Sequence, residues 1–121
     1  MNYRIEKGKE GELFVARYLK KLGYSIVHQN YRRRYGEIDI IAQKKDTLAF
    51  VEVKWRNNPL IDPAELISFS KQKKIVSVAK DFLYHHTKHE ALVCRFDVAL
   101  VEESNGSIHL QYIENAFNAI D

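Results

Sequence analysis

The chain has 121 residues, 45% of them hydrophobic and 29% charged, with a net charge of +3. That balance suits one soluble domain with a single core and excludes a disordered chain. No apolar stretch approaches the roughly 20 residues of a membrane span, and the start lacks the hydrophobic core of a signal peptide, so a cytoplasmic protein is expected. The lone Cys94 excludes an intrachain disulfide and, within an apolar run, reads as an inert core thiol.

In chain order, Lys7 to Leu22 reads as a helix whose stripe is Val15, Tyr18, Leu19 and Leu22. Glu12 begins that stripe, with Gly11 and Gly8 beyond it. A first-turn acid is favoured by the helix dipole, while the glycines clear space for a backbone or a phosphate. Gly23 is the expected helix C-cap. Tyr24 to Gln29 reads as a strand, with His28 in an ordinary structural or surface role. Asn30 to Gly36 is the most basic stretch: Arg32, Arg33 and Arg34 between two tyrosines suit phosphate contact and stacking on unpaired bases, against the alternative of a solvated loop.

Gly36 to Ile41 and Leu48 to Arg56 read as two strands, with Lys44 to Thr47 as their turn. Period-two alternation sets Glu37 and Asp39 against Ile38 and Ile40, and Glu52, Lys54 and Arg56 against Val51, Val53 and Trp55. Asp39 and Glu52 are thus expected side by side, with Lys54 one pleat on. The apolar runs around them suggest strands covered on both faces rather than an exposed salt-bridge ladder. Burying each carboxylate costs several kcal/mol, to order of magnitude, unless something compensates it; a divalent cation with oxygen ligands would.

Asn57 to Asp62 is expected as a loop, and Asp62-Pro63 to open a short helix reaching about Ser68. Ser70 is then expected to cap a second main helix, Lys71 to about His86, with Ile75, Val78, Ala79 and Phe82 buried. Lys71, Lys73 and Lys74 crowd its first turn, where the dipole disfavours cations, which suits either a polyanion or simple solubility. His85, His86 and His89 read as a surface patch at the helix end, since their spacing does not suit zinc. Ala91 to Val101 reads as a long strand holding a buried Arg95–Asp97 pair. Asn105-Gly106 signals a hairpin into a last strand, Ile108 to Ile113, and the tail from Glu114 suggests a short helical turn. Helix, three strands, helix and two strands together argue for an α/β sandwich with a mixed central sheet of about five strands.

The spacing from Asp39 through twelve residues to Glu52-x-Lys54 resembles the signature of the PD-(D/E)xK nuclease superfamily. Gly8 and Gly11-Glu12, Asn30-Tyr31-Arg32, Gly36-Glu37-Ile38-Asp39, Val51-Glu52-Val53-Lys54 with Arg56, Lys71-Gln72 and Arg95-Phe96-Asp97-Val98 follow in order, as in the YraN-type family of small bacterial proteins. That family is itself similar to archaeal Holliday-junction resolvases. The resemblance spans nearly the whole chain and implies a restriction-endonuclease-like fold in one domain, 1–121. It further implies hydrolysis of DNA phosphodiester bonds, leaving a 5′-phosphate, with Asp39, Glu52, Lys54 and Glu12 as catalytic residues. Magnesium or manganese would be held by Asp39, Glu52, the Val53 carbonyl and Glu12. Nucleic-acid contacts would come from Asn30, Arg32, Arg33, Arg34, Arg56, Lys71 and Gln72. Two departures stand out. Ile38 replaces the superfamily's proline, and Val76 replaces the tyrosine of the Gln-x-x-x-Tyr motif that some members carry, so that subgroup's roles do not transfer. Two alternatives remain open at this point, a DNA-binding accessory module with a vestigial site and a protein-interaction domain. Cutting both strands of a duplex would call for a homodimer.

Overall fold

A computed structural model describes residues 3–56, 60, 67–89 and 92–119. Helix α1 (Tyr3–Lys21) leads into β1 (Ser25–Arg33), β2 (Gly36–Lys44) and β3 (Thr47–Trp55). Helix α2 (Phe69–His85) and a short 3₁₀ turn at Thr87–His89 then lead to β4 (Val93–Ser104) and β5 (Ser107–Phe117). The five strands form one sheet in sequence order. Only β3 and β4 run parallel, because α2 carries the chain back between them; every other neighbour is antiparallel. This mixed sheet between helices is the restriction-endonuclease-like α/β sandwich. Among the described residues no helix is long and apolar enough to cross a membrane.

Among the described residues, each face of the sheet carries one helix. Leu48 and Phe50 of β3, with Phe96, Val98 and Leu100 of β4, pack with Ile75, Val78, Ala79 and Phe82 of α2. Their alternate neighbours Ala49, Val51, Ala99 and Val101 pack with Val15, Ala16 and Leu19 of α1. The α1 side is lined by Ala42, Ala49 and Ala99, small residues that bring the helix close to the sheet. From Ile38 to Ala42 every residue of β2 is buried, Asp39 included, as expected for a strand covered on both faces.

Several local expectations need correction. Leu22 is exposed rather than buried: the helix has ended, and Gly23, at φ 96°, turns the chain away. Tyr24 N–H donates to the Leu19 carbonyl and Gly23 N–H to that of Lys20, a Schellman closure. The basic loop is mostly strand: Asn30 to Arg33 belong to β1, and Arg34 and Tyr35 alone make the turn. Ser68, not Ser70, caps α2; its Oγ accepts from Lys71 N–H at 3.1 Å. The Pro63 helix lies outside the described residues, apart from Ile67 and Ser68, which are not helical. The start of the fourth strand at Ala91 also lies outside them.

Within the described residues the tail is not helical. Strand β5 runs on to Phe117, past Asn115 at φ 51°, and Phe117 stacks on Phe96 with ring centroids 5.2 Å apart. His89 is buried rather than part of a surface patch. Its ring packs 5.6 Å from that of Phe82, and burial lowers its pKa. The Arg95–Asp97 pair is present as expected, with Asp97 fully buried.

Candidate functional site

The site lies where the central hairpin forks. The ladder between β2 and β3 runs from Lys44↔Thr47 to Ile40↔Val51 and stops there. Beyond it, β2 stays paired with β1 as far as Gly36, and β3 stays paired with β4 as far as Trp55. The fork leaves the Val53 N–H without a strand partner, and Asp39 Oδ2 accepts from it at 2.8 Å. The Asp39 side chain thus replaces the lost ladder bond and is held against β3 beside Glu52.

Both carboxylates are buried, with 9% and 7% of their surface exposed. Burial and the neighbouring Glu52 charge push the Asp39 carboxyl up to about 8, against the lowering effect of the Val53 N–H. The Glu52 carboxyl is also raised, first by burial, while Lys71, Lys54 and a hydrogen bond with Asp39 oppose the rise. The Asp39 carboxyl therefore keeps its proton near neutral pH, and a cation with oxygen ligands would displace it.

Other charges ring the pair. Lys71 Nζ, on the first turn of α2, lies 3.3 Å from Glu52 Oε1. Lys54 is partly buried and near enough to favour the ionised Glu52. Glu12 reaches the fork from α1, half-buried; burial raises its pKa, and a hydrogen bond with the Asn30 side chain offsets part of the rise. Its charge adds to that on Asp39. Arg32 Nε donates to Glu37 Oε2 at 2.6 Å, tying the hairpin to the same acidic group.

Among the described residues, no three His, Cys, Asp or Glu side chains converge closely enough to hold a metal ion by themselves. The donor set nevertheless suits a hard divalent cation. Magnesium keeps much of its water shell and so needs few protein oxygens; Asp39 and Glu52, with the Val53 carbonyl and Glu12 nearby, are the residues that would hold it.

Beside the fork is a cavity of about 390 Å³ between the β1–β2 turn and the start of α2. Arg32, Arg33, Arg34, Lys71 and Lys74 line it, against one carboxylate, Glu37. A second hollow of about 470 Å³, lined by Tyr35, Lys73, Lys74 and Ser77, extends it along α2. Lys74 and Tyr35 were not among the expected contact residues; the sequence pointed to them only through the lysine cluster at the helix start and the tyrosines flanking the arginines.

Two arginines expected at this surface are committed elsewhere. Arg33 ion-pairs with Asp81 and donates to the Tyr31 hydroxyl, its guanidinium lying 4.3 Å above the Tyr31 ring centroid. It clamps β1 to α2. Arg56 is mostly buried and lies 3.4 Å from Glu102 of β4, away from the cavity. Gln72 donates through Nε2 to the Ile67 carbonyl at 3.0 Å and so helps close the start of α2. Gly11 makes room for Trp55 rather than for a phosphate. A Cβ there would lie 2.7 Å from the indole nitrogen, which donates to the Lys7 carbonyl at 2.9 Å.

A family model described as "Uncharacterised protein family UPF0102" matches residues 11–101. The chain belongs to the UPF0102 family. Relatives carrying the name UPF0102 protein match end to end. The one from Desulfosudis oleivorans is 45% identical over 120 residues, covering 98% of this chain and 95% of its own. That from a Francisella tularensis strain is 40% identical over 118 residues, covering 96% and 97%. That from Rhodococcus opacus is 39% identical over 119 residues, covering 97% and 100%. The UPF0102 match spans both arms of the fork, the basic turn and α2, so the whole candidate site falls inside it.

Proposed function

We propose that this UPF0102 chain is a cytoplasmic, divalent-metal-dependent endonuclease acting on DNA. The observation that carries the reading is the forked hairpin, which buries Asp39 beside Glu52 with too few counter-charges, next to a cavity lined by five cations. Asp39, Glu52 and the Val53 carbonyl, with Glu12, hold magnesium or manganese. When bound, the metal acidifies a water and neutralises charge on the scissile phosphate. Lys54 orients the attacking water and stabilises charge developing on the phosphoryl oxygens. Asn30 positions Glu12, and Arg32, Arg34, Lys71 and Lys74 hold the phosphates on either side. One chain offers one such site, so cutting both strands of a duplex takes two copies.

A cleavage screen with manganese on flaps, four-way junctions, single strands and duplexes tests this. Asp39→Asn and Glu52→Gln are expected to abolish cutting while DNA binding survives. Mutants that cut as well as the unmodified chain overturn the assignment. The Lys71–Glu52 ion pair favours a second reading, a DNA-binding module whose acidic pair is closed off by lysine. Absence of manganese binding at millimolar metal, with DNA binding intact, selects that reading.

A further inference from the structure

Of the two tyrosines that flank the arginines, one is used up by the fold. Tyr31 is buried, its hydroxyl donates to Asp81 at 3.0 Å, and its ring lies edge-on to Phe82. Tyr35 differs. It sits at the tip of the β1–β2 turn, 48% exposed, and borders both hollows of the basic groove. Phe69, on the first turn of α2, is 57% exposed. Lys73, one helical turn on, holds its Nζ 5.3 Å from the Phe69 ring centroid and lines the same hollow as Tyr35.

A single exposed aromatic is ordinary. An exposed ring in a cationic groove, with a second exposed ring against a lysine that lines it, suits single-stranded nucleic acid, with phosphates on the cations and bases on the rings. In a duplex the base faces are stacked on one another, so an exposed ring has nothing to stack on without unpairing a base. We infer that Tyr35, with Phe69 beyond it, forms a base-stacking track that selects DNA with an unpaired segment beside the cutting site. This rests on the nucleic-acid part of the proposed function but is independent of cleavage.

The test is fluorescence anisotropy in EDTA, where nothing is cut, with a labelled 20-nucleotide oligo-dT and a labelled blunt hairpin duplex. Stacking on an aromatic is worth about 1–3 kcal/mol per base, so Tyr35→Ala is expected to weaken oligo-dT binding about tenfold. Duplex affinity should stay within about twofold. Tyr35→Phe should bind oligo-dT like the unmodified chain, because the ring is what matters, and Phe69→Ala should show a smaller loss of the same kind. The inference is overturned if Tyr35→Ala weakens both ligands equally or neither, or if Tyr35→Phe is as weak as alanine. If the unmodified chain binds neither ligand, the nucleic-acid reading falls as well, which separates the two failures.

Discussion

Replacing Asp39 by asparagine should make the metal-free protein more stable above neutral pH, even though it removes a residue proposed to be essential. In the folded state the Asp39 carboxyl is held up at about 8, against 3.8 as the ordinary value of an aspartate. Between these values the folded protein keeps a proton that the unfolded chain has released. The folded state binds more protons, so stability falls as pH rises through the window. The slope is at most about 1.4 kcal/mol per pH unit, which gives roughly 5 kcal/mol across the window. The asparagine oxygen can still accept from Val53 N–H, so the fork survives while the titration disappears. For a chain of this size each kcal/mol moves the melting temperature by about 3–5 °C. Melting in EDTA should therefore fall steeply from pH 5 to pH 8 in the unmodified chain and much less in Asp39→Asn, with the mutant higher by about 10 °C or more at pH 8. At about pH 3, below the ordinary aspartate value, the carboxyl is protonated whether folded or not, and the two should nearly coincide. Manganese should then raise the unmodified chain at pH 8 and leave the mutant unmoved. Parallel pH profiles with and without Asp39 would show that the carboxylate is already compensated, and the case for a cation at the fork would fail.

Two further outcomes separate neighbouring residues of the same type. Gly11→Ala, whose Cβ would strike the Trp55 indole, should lose about 1–2 kcal/mol in denaturant unfolding, whereas Gly8→Ala, with nothing within 4 Å, should gain about 0.5–1 kcal/mol from helix propensity. Equal effects would remove the indole from the account. Arg34→Ala should lower the slope of log affinity against log salt by about 0.7–0.9, one phosphate's worth of released counterions. Arg33→Ala, whose charge is spent on Asp81, should leave that slope unchanged and lower the denaturation midpoint. An unchanged slope in Arg34→Ala would take the turn out of the interface.

The closeness of Asp39, Glu52 and Lys54 was legible from the hairpin register and, on β3, from period-two alternation; on β2 the expected alternation breaks, with Ile38 packed on the α2 side and Ile40 on the α1 side. The fork itself was not legible. Where a ladder stops depends on which outer strand each arm follows, and the sign of it here is a hydrogen bond from Val53, fourteen residues beyond Asp39. Composition placed the arginines at the surface, but the structural role of Arg33 depends on Asp81, 48 residues away, which carries no local signal. Ser68 and Ser70 offer the same capping chemistry, and only the approach of the chain chose between them. The tail lacked a visible pattern because its course is set by Asp97: Asn115 turns to φ 51° and its N–H donates to Asp97 Oδ1 at 3.0 Å.

Asp97 also supplies the internal comparison that gives the fork its meaning. It is more deeply buried than Asp39 or Glu52 and lies in the same sheet. Arg95 Nε donates to both its oxygens at 2.9 and 3.0 Å, Tyr112 donates to Oδ2 at 2.6 Å, and the Asn115 N–H adds a fourth bond. A carboxylate so supplied is a structural anchor, because every lone pair that burial strips of water has a donor. The Asp39–Glu52 pair has one backbone N–H, the Lys71 ion pair and the nearby charge of Lys54, and Lys71 reaches in from the half-exposed start of α2. The fold can satisfy a buried acid within this sheet and at the fork does not. Unlike Asp97, the pair also adjoins an open cationic groove, so both the missing positive charge and the phosphates that would accompany it can arrive from outside the chain.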